Sequence, residues 1–263
     1  LKIKNLFKKQ MKTLTKNVFD KKGYAIFNTK LKENYKFNSI IKKIEKDLLR
    51  QSKKKFLNNL GGFIMGNLNV NQGNYGLKLF SLVFKKNLIK IFEKIAGNKI
   101  NNFDVLYGGN LSLPNKGSQL FHTDGSYNQE MYLISFATED ITKKNGPTEI
   151  CLGTSAKPFK YWEFFISKKK KKMIFLKKGQ VLIRKHNLWH RGTTNYSDKP
   201  RLLLSFILTP KKRNLIIDYY KKLTILPNFF SSNYKGKFHE IMYVHFGKIL
   251  IFFKLFVSII RNK

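Results

Sequence analysis

Apolar positions along the chain fall into two textures that meet near residue 100. In NSIIKKIEKDLLR, residues 38 to 50, Ile40, Ile41, Ile44, Leu48 and Leu49 recur at helical intervals with charges on the other face, which predicts an amphipathic helix. LKLFSLVFKKNLIKIFEKI, residues 77 to 95, repeats the spacing and predicts a second helix, stopped by Gly97. Ahead of both, residues 17 to 31 read as a short helix end, a break at Gly23 and a β-like run. The first hundred residues are expected to be mostly helical.

From residue 101 the apolar runs become short: FDVLY, MYLISFAT, TEICL, MIFL, QVLIR and RLLLSFILT, parted by NG, KG and DKP. Such runs predict an antiparallel sheet or barrel and not a parallel βαβ array. We read residues 1 to 263 as a single domain: 1 to 100 as helical support, 101 to 210 as a β core, and 211 to 263 as a helical C-terminal extension. The final stretch, 241 to 263, is apolar nearly all round but interrupted by Lys248 and Lys254. Its unbroken pieces fall short of the roughly 20 residues a spanning helix needs. Two placements fit it: a helix packed on the domain, or an interfacial helix with Phe and Leu in lipid and lysines at anionic headgroups.

Composition changes this picture in two ways. With 263 residues, 42% of them hydrophobic, and 24 Phe, the chain can bury a sizeable core. The formal charge of +37 invites a nucleic-acid reading, but only six of the 52 basic residues are Arg, the residue suited to bidentate phosphate recognition. Abundant Lys, Asn, Ile and Phe with scarce Ala is what AT-rich coding produces. The charge is therefore read first as a solvated lysine surface, with the KKKKK run at 168 to 172 as an exposed connection. Its second reading is attraction toward an anionic partner, such as a phosphorylated substrate or an acidic membrane face. No known nucleic-acid motif is present, and nucleic acid is not expected as a partner. Cys151 is the one cysteine, so no internal disulfide forms; it is expected to be a small buried residue in a reducing, cytoplasmic setting. The amino end, LKIKNLFKKQMKTLTKNVF, lacks the apolar core of a secretion signal.

Candidate chemistry starts at FHTDGS. On extended backbone, residues two apart face the same side, so His122 and Asp124 would converge on one point. His190 is the best third ligand. If residues 186 to 206, HNLWHRGTTNYSDKPRLLLSF, form a hairpin turning between Asn195 and Tyr196, His190 faces Arg201 across the strands. Arg201 would then share a face with Leu203, Ser205 and Ile207, and a buried arginine there calls for an anionic partner such as a carboxylate. His186 is expected at the surface or beside the site, not as a ligand. Arg184 and Arg191 are expected to be solvated or paired with backbone, and His239 and His245 are assigned no role. A zinc hydrolase built on His186 and His190 at helical spacing is disfavoured, because Asn187 stands where its glutamate would be and Gly192 would end the helix.

Two histidines, one carboxylate, open coordination positions and a carboxylate-binding arginine are the elements of a non-haem Fe(II) oxygenase. In these residues the sequence resembles the phytanoyl-CoA dioxygenase family of iron- and 2-oxoglutarate-dependent oxygenases. The pieces match in order: GYAIF, HTDG, NGPTEICLGTS (145 to 155), GQVLI, and LWHRGTTNYSDKPR. The resemblance implies a mainly β fold with flanking helices, a double-stranded β-helix or jelly-roll, cupin-like barrel braced by the N-terminal helices. It also implies that His122, Asp124 and His190 bind Fe(II), that Arg201 grips the distal carboxylate of 2-oxoglutarate, and that Asn110 contacts this cosubstrate. O2 would be the second cosubstrate, a small organic molecule, anionic or carbohydrate-linked, the substrate, and succinate and CO2 the by-products. Retention of Asp124 implies hydroxylation or another oxidation, not halogenation. The chain departs from the family pattern at Leu152, Ala156, Gln180 and Gly192. The alternative, from another class, is a non-catalytic β-barrel that binds nucleic acid or anionic lipid through its basic surface.

Overall fold

The computed structural model describes residues 15–52, 57–58, 60–125, 127–211 and 225–230, with single helical positions between 241 and 260. The start of the amino-terminal stretch, residues 1 to 14, lies outside the described residues, as do His239 and His245.

Four helices precede the main β region. α1 (Lys16–Lys22) ends at Gly23, whose φ of 79° is open to glycine, and β1 (Tyr24–Phe27) follows directly. α2 (Tyr35–Ser52) buries Ile41, Ile44 and Leu48, as their spacing predicts, with Ile40 partly buried, whereas Leu49 is exposed. The run from 77 to 95, expected as one helix, is two: α3 (Tyr75–Val83) and α4 (Lys86–Ala96), the latter stopped at Gly97. The break at Phe84 and Lys85 lets Phe84 meet Phe80, Phe92 and Phe206 at ring separations of 4.6 to 6.0 Å. Between α2 and α3 lies β2 (Asn67–Asn71), a strand the sequence reading did not anticipate.

The remaining strands are β3 (Phe103–Ser112), β4 (Tyr132–Ala137), β5 (Thr148–Cys151), β6 (Lys171–Ile174), β7 (Val181–Lys185), β8 (His190–Gly192), β9 (Arg201–Pro210) and β10 (Asn228–Phe230). A short helix, α5 (Tyr161–Ile166), joins β5 to β6. β10 lies within the stretch expected to be helical, whereas the described positions from 241 to 260 are helical. The strands form two antiparallel sheets, β1-β7-β4-β9-β3-β2-β10 and β6-β5-β8. Facing each other, they make the expected jelly-roll.

Alternation along the strands sorts residues between two cores. One face of the large sheet, with Leu68, Val70, Phe136, Leu204 and Phe206, packs on the helices. The other faces the small sheet through Tyr24, Ala137, Leu182 and Leu203, which meet Ile150 and Ile174. That second interior is polar toward β2 and β3, where Asn67, Asn69 and Asn110 share its face. The site lies in this interior.

Candidate metal centre

His122 sits on a segment that runs beside β8 without joining a named strand. Its backbone exchanges both hydrogen bonds with His190, each 3.0 Å, and Gln119 N–H reaches the Gly192 carbonyl at 2.9 Å. β8 is in turn anchored on β5, where His190 lies opposite Ile150. The chain then turns at Asp124, whose N–H donates to the His186 carbonyl at 3.0 Å. Gly125 permits that turn to lie close against the barrel: a Cβ there would come within 2.4 Å of Gln129 Oε1 and 3.2 Å of His186 Cδ2.

The candidate ligand atoms of His122, Asp124 and His190 lie within 4.8 Å of one another, so the structure brings together the three residues read from the sequence. Each imidazole has its Nδ1 against a backbone carbonyl, His122 on Leu120 at 2.7 Å and His190 on Leu188 at 2.9 Å. Nδ1 then carries the proton, and Nε2 keeps the lone pair a metal requires. His190 Nε2 stands 3.5 Å from Asp124 Oδ2. Burial, followed by the Arg184 charge, holds the His190 imidazole well below its ordinary pKa, so it is neutral at physiological pH. Burial opposes charge on Asp124, but the Arg184 charge and its hydrogen bond outweigh it and hold the carboxyl well below the usual range. A carboxylate and two imidazole Nε2 atoms suit a divalent transition metal.

Arg201 is 3% exposed, as its strand pattern predicts. Its Nε donates to the Asn145 carbonyl at 3.2 Å and its Nη2 to the Gly146 carbonyl, so the NGP turn braces the guanidinium. Gly146 has a φ of 74° and a Cβ there would lie 2.9 Å from the Thr193 carbonyl, which explains the glycine. Nη1 is buried with no hydrogen-bond partner. Burial pushes the Arg201 pKa down to about 10, and Glu139 opposes the shift. The group remains a cation, with one donor nitrogen available for a carboxylate.

The hairpin register drawn from the sequence does not hold. His190 pairs with Ile150 in the small sheet, whereas Arg201 lies opposite Ser112 in the large one. Residues 193 to 200 cross between sheets instead of turning back, because Asn195 is buried and anchors the crossing. Its Nδ2 donates to the Ser112 and Lys199 carbonyls at 3.1 and 2.8 Å.

Arg184 and Arg191 pair with carboxylates and not with backbone, Arg184 buried and Arg191 partly exposed. Arg184 is 7% exposed and its Nη1 donates to Asp124 Oδ2 at 2.6 Å. Arg191 Nε donates to Glu149 Oε2 at 2.8 Å, and its guanidinium lies 4.6 Å from the Phe121 ring centre. His186 is likewise buried, with Nδ1 at 3.0 Å from the Met131 carbonyl; it supports Asp124 through backbone and is outside the ligand cluster. Cys151 is free, and burial pushes its thiol up. Asn110 Nδ2 donates to Asn69 Oδ1 at 3.0 Å on the interior face, opposite Leu203.

Sequence reasoning missed Gln119 and Arg184. Gln119 Oε1 accepts the Gly192 N–H at 2.8 Å and occupies the space a side chain at 192 would need. Gln180, one of the departures noted above, closes the turn before β7 by accepting the Lys177 N–H at 2.7 Å.

Residues 90–203 match the phytanoyl-CoA dioxygenase (PhyH) family, in line with the resemblance carried by the motifs. No curated protein matches the chain by sequence. Among solved structures, the non-haem α-ketoglutarate-dependent carbocyclase SnoK from nogalamycin biosynthesis is similar at 12% identity, covering 88% of this chain and 92% of its own, with a TM-score of 0.59. The epimerase SnoN, solved with Fe3+, α-ketoglutarate and nogalamycin RO, aligns at 13% identity, 82% and 91% coverage, and a TM-score of 0.58. AviO1 from Streptomyces viridochromogenes aligns at 14% identity, 75% and 94% coverage, and a TM-score of 0.53. At these identities the likeness is one of fold.

Proposed function

We propose that this chain, with its phytanoyl-CoA dioxygenase-type segment, is an Fe(II)- and 2-oxoglutarate-dependent dioxygenase that hydroxylates or otherwise oxidises a small organic molecule. The observation that carries the reading is the orphaned Nη1 of buried Arg201, a cationic donor with no hydrogen-bonded carboxylate although the Glu139 charge is near, in the same interior as a cluster of two imidazoles and a carboxylate. In this reading His122, Asp124 and His190 hold Fe(II) through two imidazole nitrogens and one carboxylate oxygen. Arg201 binds the distal carboxylate of 2-oxoglutarate, and Asn110 lines the wall beside it. Fe(II) and 2-oxoglutarate, when bound, supply O2 activation with release of succinate and CO2. The chain's own part is to fix the ligands through backbone hydrogen bonds and to keep bulk water from the Arg201 end.

We take residues 1 to 263 as one oxygenase domain in a cytoplasmic setting. An anionic or carbohydrate-linked substrate fits the lysine-rich surface and the amide wall formed by Asn67, Asn69 and Asn110. Peripheral membrane contact through 241 to 263 fits the exposure of Phe246, Ile249, Phe252, Phe253, Phe256 and Ile260. Among the described residues no helix is long and apolar enough to cross a membrane. The test is conversion of 2-oxoglutarate to succinate, stimulated by fractionated extract, dependent on added Fe(II), and lost in His190→Ala. Iron-independent turnover, or turnover unchanged in His190→Ala, would contradict the assignment.

A further inference from the structure

We infer that Arg184 is a positioning residue for the metal centre, clamping the Asp124 carboxylate in the orientation that presents it beside the two imidazoles. The inference rests on the oxygenase reading above. Arg184 lies on β7, opposite Leu133 on β4 and Tyr24 on β1, with its side chain directed into the barrel interior. Its side chain is only 9% exposed, while that of Asp124 is 27% exposed. Nη1 donates to Asp124 Oδ2 at 2.6 Å and stands 3.4 Å from His190 Nδ1, so the guanidinium borders two of the three candidate ligands. His190 Nδ1 is already engaged by the Leu188 carbonyl, which leaves the carboxylate as the group Arg184 binds.

The Asp124 backbone needs no ion pair to hold its path. Its N–H is bound by the His186 carbonyl, and the Thr123 hydroxyl closes the turn on the Gly125 carbonyl at 3.2 Å. What these bonds leave undetermined is rotation of the carboxylate itself, partly open to solvent, and that is what a charge-assisted hydrogen bond from a buried strand fixes. Two effects of the cation on a divalent metal oppose each other. Its charge repels the metal, but that charge is already paired with Asp124; the fixed carboxylate geometry remains as the larger consequence. Partners that orient metal ligands in this way typically change affinity by about 10- to 100-fold when removed.

The experiment is competition of Co(II) against a chelator, read by the visible Co(II) absorption, on wild type, R184Q and R184K with circular dichroism as the check of folding. Folded R184Q should bind Co(II) about 10- to 100-fold more weakly with an altered visible band, and R184K should recover part of the affinity. A purely structural role would lower the melting temperature and leave affinity and band unchanged. Co(II) affinity in folded R184Q within twofold of wild type, or tighter, overturns the inference while leaving the oxygenase reading intact. Absence of Co(II) binding by wild type overturns both. If R184Q does not fold, R184M is judged by the same criterion.

Discussion

Replacing Arg201 by Lys keeps the charge and discards the fork. Arg201 uses Nε and Nη2 on the Asn145 and Gly146 carbonyls and has Nη1 buried without a partner. A lysine ammonium at that place cannot serve two backbone carbonyls and a carboxylate in one fixed plane. The interaction at stake is a buried charge-assisted hydrogen bond, about 1.5–3 kcal/mol, which corresponds to roughly 10- to 150-fold in Kd. The assay is titration of 2-oxoglutarate into Co(II)-loaded protein, with 2-oxobutyrate, which lacks the distal carboxylate, in parallel. Wild type should prefer 2-oxoglutarate by about that factor, and R201K should lose most of the preference while binding 2-oxobutyrate as wild type does. The melting curve of R201K must stay cooperative for the comparison to count. Undiminished discrimination in folded R201K would refute the role given to Arg201.

Three further outcomes follow from the packing and electrostatics. Phe206→Ala removes a fully buried ring that meets Phe80, Phe84, Tyr107 and Phe136, and should cost about 3–5 kcal/mol in denaturant unfolding; a loss below about 1 kcal/mol would contradict the packing. Glu45 on α2 has its carboxyl raised by burial and by Glu139, so its folded form binds a proton more readily than its unfolded form. Its contribution to stability is therefore greatest at low pH and declines as pH rises above the ordinary glutamate value of about 4.3. Glu45→Gln should show a melting-temperature gain over wild type that grows across that window, and a pH-independent difference would count against it. Phe252→Glu combined with Phe256→Glu should abolish sedimentation with anionic vesicles, and retained binding would exclude this segment as the lipid contact.

Much of the β core was legible because its strands are short apolar runs bounded by turn residues and buried on both faces. β9 places Leu202, Leu204 and Phe206 toward the helices and Arg201 toward the small sheet, as its sequence pattern predicts. β2 was not legible, since NLNVN alternates apolar residues with asparagines, which are poor in strands and here face a polar interior. The break at Phe84 was hidden because no glycine or proline marks it; aromatic packing does.

Within the site, His122, Asp124 and His190 were readable as a set because motif spacing carries them. The neighbourhood of Arg201 was read correctly as buried but given the wrong partner. Nothing local in TTNYSDKP distinguishes a hairpin from a crossing between sheets, and the distinction rests on Asn195 reaching Ser112. Arg184 was invisible for a similar reason: the end of a strand is exposed or interior according to what faces it, and here Asp124 faces it.

The central claim is that His122, Asp124 and His190 hold Fe(II) on which 2-oxoglutarate can chelate. Anaerobic addition of Fe(II) and 2-oxoglutarate to the folded protein should produce a weak visible charge-transfer band. The band should vanish in His190→Ala and persist in His186→Ala, since His186 is outside the ligand cluster and its bond to Asp124 runs from its backbone carbonyl. No band in the intact protein, or a band that survives loss of His190, would contradict the account.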